Sequence, residues 1–509
     1  MSNSLQTPAA IPAAGRPDAS LRQQPLSAGL RLAYSLGAAP DAMINIALNV
    51  FLLYYLTSIC GLSPALAGFA VAAGLVIDAL LDPWIGMRSD HCRSRLGRRL
   101  PFMLGAIPLA LGAFVLLFTL PRIEQQPLLF GIVMMLCISI RIGLSTFALP
   151  YLAVGAEISD DDTERARIIT WRWGAAVTLS LVTVLLGFGL FFKGEGGIAR
   201  PEGYPAFALA LAGLVSLMAA AAMYSVWRTL GRQHPPPPRE AGTLGELLRE
   251  IGQLFRSSTF RIIFTACLLS SAAQSVTQSL SLHAYTFFWK LGGEQVQVAI
   301  ISLTVGLILG APIGGLLIKR WEHRKTIVLA VFGMMLAQAA PPALRLCGLL
   351  PLEGNALGLA LAGAQLLAGM TMTSAMMALM AMTTDALDEH EYHYGVRVEG
   401  FYFAGWTLAA KAANGLGALL SGVALQLIDF PTKAVSAGAV AEIPERTTQL
   451  LGLAYGPGAA VLTAATLVVL AGYPLSREKH RSIMKELQER KSHDREPSLD
   501  MNLPAETPL

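Results

Sequence analysis

The sequence predicts an all-α integral membrane protein with twelve transmembrane helices in two pseudo-symmetric bundles of six. Three observations carry this: composition, the spacing of apolar runs, and the alternation of basic loops. Of 509 residues, 54% are hydrophobic and 14% charged, with a mean hydropathy of +0.53, whereas soluble domains carry about 25% charged residues. A soluble chain of this length divides into roughly three domains whose surfaces need polar cover. The 48 glycines fit close-packed membrane helices. Disorder, fibrous repeats and a secreted disulfide scaffold are excluded. The five cysteines lack any CxxC spacing for metal or redox chemistry.

Residues 1–28 are polar, rich in Pro and Ala, and lack an apolar core, so they read as a tail rather than a signal peptide. The first bundle, 29–227, holds apolar runs at 29–57, 65–87, 101–120, 127–152, 168–192 and 204–227. A linker at 228–260 follows, with Pro235 to Pro238 as a stiff spacer and an amphipathic stretch behind it. The second bundle, 261–475, has runs at 261–288, 297–318, 326–346, 355–384, 401–428 and 451–474, and a basic tail closes the chain over 476–509. Each run approaches or exceeds the roughly 20 residues a bilayer span needs. Strands are excluded by run length, and in lipid the backbone must satisfy itself within helices.

Basic residues set the orientation. Arg88, Arg93, Arg95, Arg98 and Arg99 fill the loop after span two, and Lys319, Arg320, Arg324 and Lys325 the loop after span eight. The linker and the C-terminal tail are similarly basic, while the intervening loops hold few such residues. The positive-inside rule then predicts a multi-pass protein of the cell (inner or plasma) membrane with both termini and the linker cytoplasmic. Gly86 to Arg99 after span two loosely matches Gly314 to Lys325 after span eight. Two related six-helix halves joined by a linker describe an alternating-access transporter.

Ionisable residues at membrane depth are costly and mark function. Span two carries Asp78 and Asp82, four apart and therefore on one helix face. Stacked carboxylates repel; a monovalent cation (sodium or a proton) held between them with neighbouring oxygens relieves both. An ion pair with Arg141 or Lys411 is the structural alternative. The two are compatible, because a lysine competing with a cation for the same carboxylates makes a switch. Lys411 lies about ten residues inside span eleven, and Arg141 lies in span four one turn before Ser145. Arg172 opens span five between Trp171 and Trp173 and reads equally as an interfacial anchor or a substrate contact. In span one, Asp41 follows Pro40 and shares a face with Asn45 and Asn49, which favours a cavity over a simple helix cap. Span seven adds Ser271, Gln274, Ser275 and Gln278, suited to a wet cavity or to interhelical hydrogen bonds. Six methionines between Met370 and Met382 suit an adaptable pocket or plain packing. No nucleophile elbow, phosphate-binding loop or zinc motif is present, so the chain reads as a non-enzyme driven by a gradient, with no cofactor beyond a coupling cation.

The stretch Ile77-Asp78-Ala79-Leu80-Leu81-Asp82-Pro83-Trp84-Ile85-Gly86, followed by Arg95-Leu96-Gly97-Arg98-Arg99-Leu100-Pro101, resembles the signature of glycoside–pentoside–hexuronide:cation symporters. These form the melibiose-permease branch of the major facilitator superfamily. The resemblance covers roughly 29–475 and implies that Asp78 and Asp82 bind the coupling cation with help from Ser145. It also implies a coupling role for Lys411 and a position near substrate for Arg172. The sugar-binding positions depart from the pattern: Leu75, Ala148 and Leu152 stand where melibiose permeases have an arginine, an acid and a tryptophan, and Ala42 with Asp41 beside it where they have an acid. Arg141 is an addition, expected to partner the aspartates. The pattern is also similar to sodium-coupled lysophospholipid carriers.

The expected protein is thus a monomeric cation-coupled symporter of a small organic solute, with Asp41, Arg141, Arg172 and Lys411 around the substrate. Two arginines and a lysine on the cavity would suit a charged or zwitterionic solute. Its partners are the solute, the cation and the bilayer, not nucleic acid. A lysolipid-like substrate, or a non-transporting sensor that uses the basic C-terminal helix, are the alternatives.

Overall fold

A computed structural model describes residues 25–92, 94–194, 197–232, 252, 254–395, 399–432, 435 and 443–493. Most of the expected linker and the outer parts of both tails lie outside these residues. Among the described residues, twelve helices are long and apolar enough to cross a membrane. The first half comprises α1 (Ala28–Leu52), α2 (Pro64–His91), α3 (Leu100–Phe118), α4 (Gln126–Glu157), α5 (Asp162–Phe191) and α6 (Gly203–Arg228). The second comprises α7 (Ser258–Phe288), α8 (Gly293–Arg320), α9 (His323–Leu346), α10 (Gly354–His393), α11 (Glu399–Leu427) and α12 (Glu445–Ala471). A further helix, α13 (Arg477–His493), follows.

The packing repeats between halves. In the first, α1 packs on α5 and α6, and α4 on α2 and α3; in the second, α7 packs on α11 and α12, and α10 on α8 and α9. The halves meet along α2 with α11, and again where α5 touches α8, which are equivalent contacts under the pseudo-two-fold. The first is by far the more extensive. It needs glycine: a Cβ on Gly68 would lie 2.7 Å from the Ala418 carbonyl oxygen and 3.0 Å from Gly422 Cα, so only a bare backbone lets α2 and α11 come this close.

The fifth and tenth helices extend beyond the sequence-based expectation. The fifth begins at Asp162 because Asp161 accepts the Thr163 amide as an N-cap, and because buried Glu164 pairs with Arg31 of α1 at 2.9 Å. The tenth runs on to His393 because its polar end is held above the membrane. There Asp385 meets His323 (2.8 Å), Asp388 meets His480 (3.1 Å) and Glu389 meets Lys479 (3.1 Å). Through these contacts α13 docks on α10, burying Ile483 and Leu487. In the first half, Glu157 at the end of α4 accepts from Arg98 (2.5 Å) and Arg99 (2.7 Å) of the basic loop. Burial lowers the Arg99 pKa from its usual value, and Glu157 acts against that shift.

The face formed by the C-terminal ends of α1, α7 and α11 is sealed. Thr57, just beyond α1, hydrogen-bonds the buried His283 of α7 at 2.8 Å. Tyr54 stacks against Phe287, and His283 and Phe287 both pack edge-on against Phe430 beyond α11. At the same level α5 meets α8 around Gly189 and Gln297. Trp173 of α5 stands 58% exposed on the wall of a central cavity.

Candidate functional site

The α2 aspartates arrive one above the other, as their four-residue spacing dictates. Pro83 follows Asp82 directly and cannot donate to the carbonyl four residues back, which loosens the helix beside the acids. Asp78 is buried, and its Oδ1 accepts a short hydrogen bond from the Ser145 hydroxyl on α4. Its Oδ2 takes the Lys411 ammonium of α11 at 2.8 Å. The same ammonium reaches Asp82 Oδ2. Lys411 therefore bridges both acids, and does so from the other half of the molecule. The side chains of Asp78, Asp82 and Lys411 are 7%, 20% and 24% exposed.

Two acids share one ammonium. Asp82 Oδ1 is moreover buried without a hydrogen-bond donor, an arrangement that costs free energy unless a cation or proton satisfies it. Carboxylate oxygens and a hydroxyl are the hard donors that sodium prefers.

Arg141 makes no contact ion pair with the aspartates, although its charge acts on Asp78 and Asp41. Among the described residues it forms no ion pair; its Nη1 donates to Asn45 Oδ1 at 2.6 Å. The Asn45 amide in turn donates to Asp41 Oδ1 at 2.7 Å and to the Asp41 carbonyl at 2.9 Å. The physical reason is reach: Asn45 of α1 lies between Arg141 and Asp41, while Lys411 already fills the approach to the α2 acids. Arg172 is half-buried on α5 and forms no ion pair among the described residues. Neither arginine nor Lys411 is among the residues lining the cavity, though the charges of all three act on Asp41 of its wall.

The cavity holds about 730 Å³ between the halves, within the range of small-molecule sites. Asp41, Asn45 and Asn49 line it from α1, and Gln274 and Gln278 from α7. Of the α7 polar stripe, Ser275 instead bonds the Asn414 carbonyl of α11 at 3.0 Å, so that stripe serves both cavity and packing. Met372 and Met376 line the wall while Met382 is fully buried, dividing the methionine run in the same way.

Sequence reasoning missed Gln338, Gln365, Tyr285, Tyr455 and Trp406 on this wall. Gln365 of α10 donates to the hydroxyls of Tyr285 and Tyr455, tying three helices together at the sealed end. Isolated amides within apolar runs were the available signal. Asn49, Tyr285 and Tyr455 also sit on wide π turns, Leu48–Leu52, Ala284–Phe288 and Ala454–Gly458, which re-aim side chains and recur at functional sites.

Known proteins share both the sequence and the architecture. An uncharacterized symporter, sll1374 of Synechocystis sp., is 25% identical, with 93% of this chain and 99% of that protein covered. The putative glycoside/cation symporter YagG of Escherichia coli is 24% identical over 90% of this chain and 94% of its own. The crystal structure of a D-xylose-proton symporter superposes with a TM-score of 0.59 at 15% identity, covering 88% of this chain and 98% of that one; the likeness is one of fold. The family model described as MFS/sugar transport protein matches residues 33–477. The twelve-helix chain, with its paired six-helix halves, is a member of the MFS/sugar transport family.

Proposed function

We propose that this protein is a cation-coupled symporter of a small organic solute, working by alternating access, with Asp78, Asp82 and Ser145 as its cation site. The observation that carries the reading is Lys411 bridging the two acids across the halves while Asp82 Oδ1 stays without a donor. Family membership and symporter relatives support symport. A cation entering from the cavity takes over the carboxylate oxygens and displaces the ammonium. Freed from its acids, Lys411 no longer ties α11 to α2, and the halves can rock. When the cation leaves, the lysine returns and restores a paired, transportable empty state.

Several finer points belong to the same reading. The basic loops support cytoplasmic termini and, with them, a cavity that opens inward. The carrier works as a monomer in the cell membrane, without nucleic acid, with no cofactor beyond sodium or a proton, and without catalysing a reaction. Asp41, held by the Arg141–Asn45 relay, and Arg172 contact the solute. In proteoliposomes, a sodium or proton gradient should drive solute accumulation, and Asp78→Asn or Asp82→Asn should uncouple it. Gradient-driven accumulation at the wild-type level in both variants refutes the assignment.

A further inference from the structure

One buried titratable group stands outside the symport chemistry: His283 of α7, fully buried at the sealed end. Its Nε2 lies 2.8 Å from the Thr57 hydroxyl. That hydroxyl spends its single hydrogen on the Leu53 carbonyl at 2.8 Å, so its oxygen accepts from His283 and the ring carries its proton on Nε2. Nδ1 is then a bare acceptor, and it is buried with no hydrogen-bond partner among the described residues. A second proton could go only there. It would create an N–H with nothing to accept it and a charge with nothing to answer it.

The surroundings supply neither. From α1 the ring faces Thr57 and Tyr54, the latter at a centroid distance of 5.2 Å. Phe287 of its own helix lies at 6.4 Å, and Phe430 beyond α11 packs edge-on at 5.3 Å. Tyr54 is the one titratable side chain in this set, and a phenol is neutral at physiological pH. Among the described residues no acid or base acts on the ring; burial is the only influence on its charge. These contacts exist only while the ends of α1, α7 and α11 are together. When they part, the imidazole meets water, where an ordinary pKa of about 6.5 puts protonation within reach of mild acid.

We infer that His283 is a proton-sensitive latch of the sealed end: the neutral ring lets α1, α7 and the segment beyond α11 close, and the imidazolium holds them apart. The opening itself rests on the alternating-access reading. Closure takes only the neutral ring, so it is fully available above the ordinary imidazole pKa and is lost as pH falls through it. With that pKa at about 6.5 in the open state, opening gains about 30-fold between about pH 8 and about pH 5. The test is hydrogen–deuterium exchange on the full chain in lipid nanodiscs across that pH range, corrected for the chemical exchange rate and read at 53–60 and 282–290. Wild type should lose protection there by up to about 30-fold in acid. His283→Gln keeps an amide donor for Thr57 and has nothing to titrate, so protection should not vary with pH; His283→Asn covers loss of folding in the first variant. Thr57→Val should loosen the end at every pH yet keep the acid response. An acid response that survives in the His283 variants, or ends that ignore pH in wild type while opening in Thr57→Val, overturns the inference and leaves alternating access standing. Ends that open under none of these conditions count against both.

Discussion

Replacing Lys411 by glutamine tests whether the lysine and the cation compete for the same oxygens. The substitution keeps the length of the side chain and removes its charge. At the 2.8 Å separation from Asp78, a unit charge pair at an effective dielectric of 20 is worth about 6 kcal/mol. The ammonium regains hydration when released, and this offsets much of the attraction, leaving about 1.5–3 kcal/mol that an entering cation must overcome. Lys411→Gln should therefore tighten cation binding by about 10- to 150-fold. The assay is calorimetric titration of the purified protein with sodium at several pH values, with choline as control. A sodium-coupled carrier shows the gain in the sodium constant, a proton-coupled one in the pH dependence. Turnover should fall at the same time, because the empty carrier loses the group that neutralises its acids for the return step. A folded variant whose sodium and pH responses both match wild type, or weaken, refutes competition between lysine and cation.

Further outcomes follow from single contacts. Ser145→Ala deletes the hydroxyl donor to Asp78 Oδ1 and should weaken cation binding by about tenfold, a charge-assisted hydrogen bond being worth about 1.5–3 kcal/mol, with folding intact by circular dichroism. Thr57→Val removes the hydrogen bond to His283 that closes the sealed face; at about 1 kcal/mol the population of the alternate, oppositely opened state should rise about fivefold, read as spin-label distances between α1 and α7. Gly68→Val drives a side chain into the Ala418 carbonyl and should lower the thermal midpoint sharply or abolish expression, while Gly213→Ala, with open space around it, should be silent. Truncation after Ser476 exposes the seats of Ile483 and Leu487 on α10 and should cost about 2–4 kcal/mol of stability; uptake per folded molecule persisting after truncation argues against a sensor function built on that helix.

Much of the site was legible in order of sequence but not in pairing. The spacing of Asp78 and Asp82 puts them on one face by helix geometry alone, and burial cost marks them out in any apolar run. Which cation answers them is a different matter. Arg141 and Lys411 were equal candidates along the chain, separated from Asp78 by 63 and 333 positions. The selection depends on α11 lying against α2, with Gly68 and Gly422 allowing the approach, and on Asn45 intercepting Arg141. The basic residues expected on the cavity wall were misplaced for the same reason: periodicity shows that a residue has a polar face to turn toward, not which helix stands there.

Chain composition and local pattern determined that this protein spans a membrane twelve times, that its halves are related, and that a few intramembrane charges matter. These follow from the cost of exposing backbone and charge to lipid, which each segment meets by itself. Only the tertiary structure decided that Lys411 spans both acids and that one Asp82 oxygen is left over. Those facts depend on which helices become neighbours, and neighbours are chosen by close packing across hundreds of residues. The few charges within an otherwise apolar chain are legible in sequence; the pairing of Asp78 and Asp82 with Lys411 exists only once α2 and α11 are brought together.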